Sequence, residues 1–312
     1  MISIIFGKTK PINYIIVLSF LFVFYWFAHF YMFDRIYSLV RVFWQLFVLS
    51  VLFFSVFIVN FIVKRNKVTG ANSFTILFYG LLMVVFPETL LDSNAIFCSF
   101  FLLLATRRLI SIRSLKNIKF KIFDATIWVL VSSLFYDWAL LFLILVLAAI
   151  YFYEPKNARN WFVPLAAIFT VLMITECVLI LYGNQDFLSN HYKFSVSLDS
   201  TYFSYWGHST KLVLFALTTF VSGILAFVKL GKSGFGKVIT MRLIALSFVI
   251  GLVLNILLLS DNVYPVMITF FPAVVFMTKY IESLRKANIR EIILMAAVLI
   301  PFLVLMTGIA IK

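Results

Sequence analysis

Long apolar runs alternate with short polar corners along the whole chain. Runs of this length, without the two-residue alternation of strands, predict membrane-crossing helices rather than a sheet. We therefore expect an all-α polytopic bundle with about 11 membrane segments (9–12) and short outer hairpins. The predicted segments are Ile12–Tyr31, Val40–Val63, Phe74–Phe86, Ala95–Ala105, Ile122–Phe135, Trp138–Tyr153, Trp161–Tyr182, Leu212–Leu230, Leu243–Ser260, Tyr264–Tyr280 and Ile292–Ile311.

The third, fourth and fifth predicted segments are short. Thirteen helical residues extend about 20 Å, whereas the hydrocarbon layer is about 30 Å thick. Their polar outer ends would therefore lie below the membrane surface, which predicts a cavity open to the outside. The alternative is that flanking polar residues complete these helices and the membrane thins locally.

Composition leaves little room for a soluble domain. Hydrophobic residues make up 64% of the chain, charged residues 12%, and the mean hydropathy is +1.09. We expect one integral membrane domain over residues 1–312, with a single long outer loop at 183–211. The first apolar run is too long for a secretory signal, so we expect it to be retained as a helix. Cys98 and Cys177 lie inside apolar runs and are expected to be small hydrophobic residues.

The charges indicate how the chain is oriented. If the N-terminus is cytoplasmic, all but five of the 26 Lys and Arg lie inside; the five are Arg35, Arg41, Lys193, Lys211 and Lys312. Seven acids then lie outside: Asp34, Glu88, Asp92, Asp137, Asp186, Asp199 and Asp261. This is the positive-inside distribution. Basic loops facing anionic lipids account for the net charge of +14, and we expect no nucleic-acid partner.

Two basic inner segments have candidate functions. Residues 107–121 mix basic and apolar side chains, so as an amphipathic helix they could contact a lipid-diphosphate carrier, or they simply anchor the topology. Residues 231–237 have the glycine spacing of a phosphate-binding P-loop. However, Val238 stands where Ser or Thr must hold magnesium, so we reject a nucleotide site there.

The outer acids are the strongest candidates for chemistry. Asp34, Glu88, Asp92 and Asp137 each lie at a short outer corner, as does Asp261. A carboxylate there could accept a proton from an acceptor hydroxyl, or hold a divalent cation beside a phosphate; we expect no other cofactor and no metal site. The alternative is that short corners carry Asp for turn formation alone.

Other polar groups near the outer face could bind a sugar or a phosphate. This set is Arg35, Tyr37, His191, Lys193, Tyr205, Trp206 and His208. Aromatic rings also collect at membrane interfaces without binding anything. Two histidines seventeen residues apart do not form a metal site.

Glu176 is the one carboxylate well inside an apolar segment. Intramembrane acids act as proton relays or ion ligands, which would fit a transporter. A protonated glutamate that bonds another helix explains it equally well.

From Asp92 to about Tyr182 the chain resembles the membrane-embedded glycosyltransferases of the GT-C superfamily. The similarity lies in the order of Leu91–Asn94, Arg107-Arg108, the corner 135–138 and the link 156–161. The resemblance implies a GT-C-like fold and a catalytic base in the first outer loop, where Asp34 stands. The first outer loop is shorter here than in that family.

The segment 6–13 and the general layout also resemble a family of bacterial multi-pass inner-membrane proteins without established activity. This resemblance implies a location in the bacterial inner membrane.

Our leading hypothesis is action on a lipid-linked glycan at the periplasmic face, as a polyprenyl-phosphate-sugar glycosyltransferase. The alternatives are a non-catalytic partner within an envelope biogenesis or secretion complex, and a transporter or flippase.

Overall fold

The computed structural model describes residues 2–184, 186–194, 196, 206–230, 234–258 and 263–310, and all regular structure within them is helical. The helices are α1 (Ile2–Phe6), α2 (Pro11–Phe27), α3 (Leu39–Arg65), α4 (Phe74–Val85), α5 (Ser93–Ser111), α6 (Ile118–Ser133), α7 (Leu143–Tyr153), α8 (Ala158–Tyr182), α9 (Phe187–His191), α10 (Trp206–Leu230), α11 (Phe235–Leu257), α12 (Phe270–Ser283) and α13 (Ala287–Ala310). Short turns of 3₁₀-helix precede α5, α7 and α12, and a π-helix, Ala28–Met32, extends α2.

Eight of the helical stretches in the described part of the chain are long and apolar enough to cross a membrane. The protein is therefore an integral membrane protein, as the sequence predicts. The helices α4 and α6 are shorter, and so is the apolar stretch Asp137–Tyr153, which ends in α7. These three coincide with the third, fifth and sixth predicted segments.

The prediction of a short fourth segment is wrong. The α5 helix continues past Ala105 to Ser111, and a 3₁₀ turn extends it to Ser114. Arg107 lies within the helix, and its guanidinium is 4.7 Å from the centre of the Phe61 ring. Arg108 forms a 2.9 Å ion pair with Asp124 of α6. Residues 107–121 thus consist of the end of α5, a turn and the start of α6, rather than one amphipathic helix.

The short α4 helix lies at the centre of the bundle. All of its side chains except Leu77 and the last, Val85, are buried, and it packs against α2, α3, α12 and α13. A helix that is apolar on every face needs this position. Its 12 residues span only about 18 Å, and the longer neighbours surround both of its ends.

The two sides of the bundle have separate hydrophobic cores. One core joins α2, α3, α4, α10, α12 and α13, the other joins α6 and α7, and the helices α5 and α11 contribute side chains to both. The α8 helix is peripheral and packs mainly on α6 and α7.

The α11 helix lies close to a neighbouring turn at Gly251. A Cβ atom added there would lie 2.7 Å from Cγ2 of Thr269, in the 3₁₀ turn Pro265–Thr269. Gly223 of α10 is a matched control, because its added Cβ would meet the nearest atom, in Phe276, at an ordinary 3.7 Å.

We expect Gly251→Ala to lower the free energy of unfolding by about 1–3 kcal/mol through overpacking. Gly223→Ala should leave it unchanged or raise it by up to about 1 kcal/mol through helix propensity. Thermal unfolding in detergent, read as the monodisperse fraction after heating, measures both. Equal midpoints for the two variants would contradict the close contact.

Candidate functional site at the outer end of the bundle

The polar corners predicted to face outward meet at one end of the bundle. Residues 86–92 contact both the π-helix of the first corner and the 3₁₀ turn Pro265–Thr269. The corner 134–142 joins them through the hydrogen bond that the Tyr136 hydroxyl donates to Asp92. We call these four segments (residues 28–38, 86–92, 134–142 and 263–269) the outer cluster.

Asp92 connects three parts of the outer cluster. Its Oδ1 accepts a 3.1 Å hydrogen bond from the backbone N–H of Ala95, which caps α5. Its Oδ2 accepts a 2.9 Å bond from the backbone N–H of Tyr264 and another from the hydroxyl of Tyr136. Burial together with the adjacent Asp92 charge raises the pKa of Tyr136 well above its ordinary value, so this hydroxyl stays a donor. Both carboxylate oxygens therefore hold the fold together.

Glu88 forms an ion pair with Lys211 at the start of α10, with 3.1 Å between Oε1 and Nζ. Their side chains are only 14% and 20% exposed, respectively. An ion pair this well shielded from water costs desolvation energy, and its geometry ties the second corner to α10.

Asp137 accepts hydrogen bonds from its own corner and from residue 194. Its Oδ1 accepts a 2.7 Å bond from the N–H of Trp138, and its Oδ2 accepts a 3.0 Å bond from the N–H of Phe194. The Phe194 ring contacts Trp138 edge to face. Residue 194 is thereby held against the corner between α6 and α7.

Asp34 differs from the other three acids. It is exposed, and among the described residues its carboxylate has no hydrogen-bond or ion-pair partner. Its φ of +47° is a left-handed conformation, which Asp adopts more readily than most residues. The adjacent Arg35 is also exposed, and its backbone N–H donates to the carbonyl of His29.

His29 is a buried polar residue that the sequence analysis missed. It lies in the π-helix with none of its surface exposed, and its Nε2 is 3.2 Å from the carbonyl oxygen of Leu90. A carbonyl can only accept, so Nε2 carries the proton and Nδ1 accepts the hydroxyl of Tyr37 at 2.5 Å. The histidine thus joins the first and second corners. A histidine near the outer end of the first apolar run was the available signal, and π-helical turns are frequent at functional sites.

Burial raises the pKa of Tyr37 from its ordinary value, against the opposing charges of Arg35 and Arg41. The phenol is therefore neutral at physiological pH. Because its proton is donated to His29, its oxygen lone pairs remain able to accept a hydrogen bond from another group.

Only some of the remaining predicted binding residues belong to the part of the chain that the structure describes. His191 Nε2 contacts the carbonyl of Ser133 at 2.7 Å, so this ring packs on the end of α6, and Lys193 is exposed beside it. Tyr205 and the acids Asp199 and Asp261 lie outside the described residues. Trp206 and His208 belong to the first turn of α10, but their side chains also lie outside that description.

Glu176 does not face the bundle interior. Its side chain is exposed on α8, a helix with little buried surface, and Cys177 beside it is an exposed free thiol whereas Cys98 is buried. This position does not favour an ion pathway through the protein. Among the described residues no three His, Cys, Asp or Glu side chains come together as a metal ligand set, and the divalent cation stays a prediction.

The fold and the outer cluster together define an all-helical integral membrane protein whose polar corners meet at one end. No protein-family model, curated protein or solved structure matches the chain. The resemblance to the GT-C superfamily therefore stays a prediction.

Asp92 and Asp34 should respond differently to the same substitution. Asp92→Asn places an amide nitrogen, which cannot accept, against the N–H of Tyr264, and we expect a loss of about 2–4 kcal/mol of unfolding free energy. Asp34→Asn should change it by less than about 0.5 kcal/mol, because the side chain is exposed. Thermal midpoints of the two purified variants in detergent test this difference. An Asp92→Asn protein as stable as the parent would show that the carboxylate does not hold the corners.

Proposed function

We propose that this protein acts on a lipid-linked glycan at the outer face of a bacterial inner membrane, as a GT-C-like glycosyltransferase. The eight spanning helices supply eight crossings, and α4, α6 and the stretch Asp137–Tyr153 supply three shorter ones inside the bundle. Eleven crossings with a cytoplasmic N-terminus put the outer cluster on the side that carries the fewest basic residues.

The observation that carries the proposal is the available carboxylate of Asp34. Asp92 and Asp137 are occupied by donors, and Glu88 is paired with Lys211. Asp34 is exposed at the first corner, which is where the resemblance to GT-C enzymes puts the base. Within the proposal Asp34 is the general base, and the other three acids hold the surrounding corners in position.

The neighbours of Asp34 suit a sugar linked to phosphate. The Tyr37 oxygen, fixed by His29, accepts a hydrogen bond from a substrate hydroxyl. The Arg35 guanidinium offsets negative charge on the departing phosphate. His191 contacts Ser133 at the end of α6, and within the proposal His191 and Lys193 would contact the glycan rather than the phosphate.

The reaction then proceeds without a redox step. Asp34 accepts the proton of the acceptor hydroxyl, and the acceptor oxygen forms a bond to the anomeric carbon of the donor sugar. The bond between that carbon and the phosphate oxygen breaks, and the polyprenyl phosphate leaves with the electron pair. Arg35 stabilises the phosphate as its charge increases.

A second candidate function is a non-catalytic partner in an envelope complex. The observation that favours it is the use of three outer acids for structural bonds, which makes the outer cluster a rigid surface. Such a protein would tolerate substitution of Asp34 and would purify with stoichiometric partners.

We expect Asp34→Asn to lower glycan transfer by about 10²- to 10⁴-fold, the usual contribution of a general base. The measurement is the glycan profile of a strain that lacks the protein and is complemented with each variant at equal membrane abundance. Asp186→Asn is the matched control, since Asp186 is an exposed outer acid away from the first corner. It should restore the parental profile.

Full restoration by Asp34→Asn would exclude this residue as the base. If Asp34→Asn restored the profile and the protein also purified with stoichiometric partners, the second candidate would replace the first.

A further inference from the structure

Glu176 lies within the membrane-crossing part of α8. This helix has 25 residues and extends about 37 Å, which exceeds the hydrocarbon thickness of about 30 Å by only a few ångströms at each end. Glu176 precedes the last residue, Tyr182, by six positions, or about 9 Å. Its carboxyl group therefore lies several ångströms inside the apolar layer.

The surface around Glu176 is apolar and faces away from the bundle. Phe169, Met173 and Ile180 share its side of the helix at spacings of seven, three and four residues, respectively, and all are exposed. We call residues 162, 165, 169, 173, 176 and 180 the α8 face. A single carboxyl group in such a face is unfavourable against lipid and needs a polar partner.

The other acids of the described membrane helices already have partners. Asp124 pairs with Arg108, Glu282 with Lys279, and Glu291 accepts the N–H groups of Ile2 and Ser3. Among the described residues Glu176 has no hydrogen-bond or ion-pair partner, so a partner must come from another molecule.

We propose that the α8 face is the contact between two copies of this chain, with the two Glu176 side chains hydrogen-bonded to each other. Copies inserted in the same orientation are related by a two-fold axis along the membrane normal, so identical residues on adjacent α8 helices meet at equal depth. A carboxyl group that carries its proton is both a donor and an acceptor, so two such groups can bond each other without a basic residue. Polar side chains join membrane helices in this way.

Cysteine crosslinking in membranes tests the proposal. In a Cys177→Ser background, Met173→Cys and Ile180→Cys place a thiol on the α8 face, while buried Cys98 stays unreactive. Ile174→Cys is the matched control: it is 60% exposed, against 52% and 58% for Met173 and Ile180, but lies about 200° around the helix from Glu176. With a copper-phenanthroline oxidant we expect disulfide dimers at positions 173 and 180 and none at 174.

Removing the carboxyl group distinguishes crosslinking that depends on the polar contact from crosslinking by random collision. Adding Glu176→Leu to Met173→Cys should lower the crosslinked fraction at least tenfold, whereas Glu176→Gln should retain part of it because an amide also bonds its copy reciprocally. The parent protein in lipid nanodiscs should have the mass of a dimer.

Three results would each overturn the proposal. They are a monomeric mass in nanodiscs, equal crosslinking at positions 173 and 174, and crosslinking that survives Glu176→Leu. A monomer would point instead to a basic helix of another protein, or to a carboxyl group that reaches the headgroups.

Discussion

The outer cluster depends on one partly buried carboxylate, Asp92. Asp92 accepts hydrogen bonds from Ala95, Tyr136 and Tyr264, which belong to three different parts of the chain. Backbone N–H groups at helix ends that water reaches poorly must find a partner, and a charged acceptor is the strongest one. This bond set joins the start of α5 to the residues that follow α6 and to those that precede the turn before α12.

The opposite end of the bundle uses the same device. Glu282, at the end of α12, accepts the N–H of Gly70 at 2.5 Å and the side-chain amide of Asn72 at 2.6 Å, and it also pairs with Lys279. The loop between α3 and α4 is thereby held against α12. The central helices α4 and α12 are thus fixed near both ends by a carboxylate, while apolar packing holds them between.

The hydrogen bonds that the outer acids already accept bear directly on function. A carboxylate whose oxygens already accept two or three hydrogen bonds has little acceptor capacity left for a substrate. The fold therefore separates the outer acids by their surroundings although they look equivalent in the sequence. Asp34 is available because its corner is exposed and short, and because His29, Tyr37 and Leu90 hold the chain on either side of it.

Segment positions followed directly from the sequence, because uninterrupted apolar runs have few alternatives in a membrane. The predicted segments from Ile12–Tyr31 to Ile292–Ile311 each overlap a helical stretch of the structure. Helix ends did not follow in the same way. Arg107 and Arg108 look like a polar stop in the sequence, but in the structure they lie inside α5 and contact Phe61 and Asp124, respectively. Those contacts join residues far apart in the chain.

The sequence by itself determined that this is a helical membrane protein, because the hydropathy and charge of each segment decide locally how that segment partitions into a membrane. Only the tertiary structure decided which polar groups are used and which are available. The neighbouring sequence does not distinguish Asp92 from Asp34. It also does not show that Glu176 faces away from the bundle or that His29 is buried. Each of these outcomes depends on which helix packs beside the residue, and hydrogen bonds between distant segments set that arrangement.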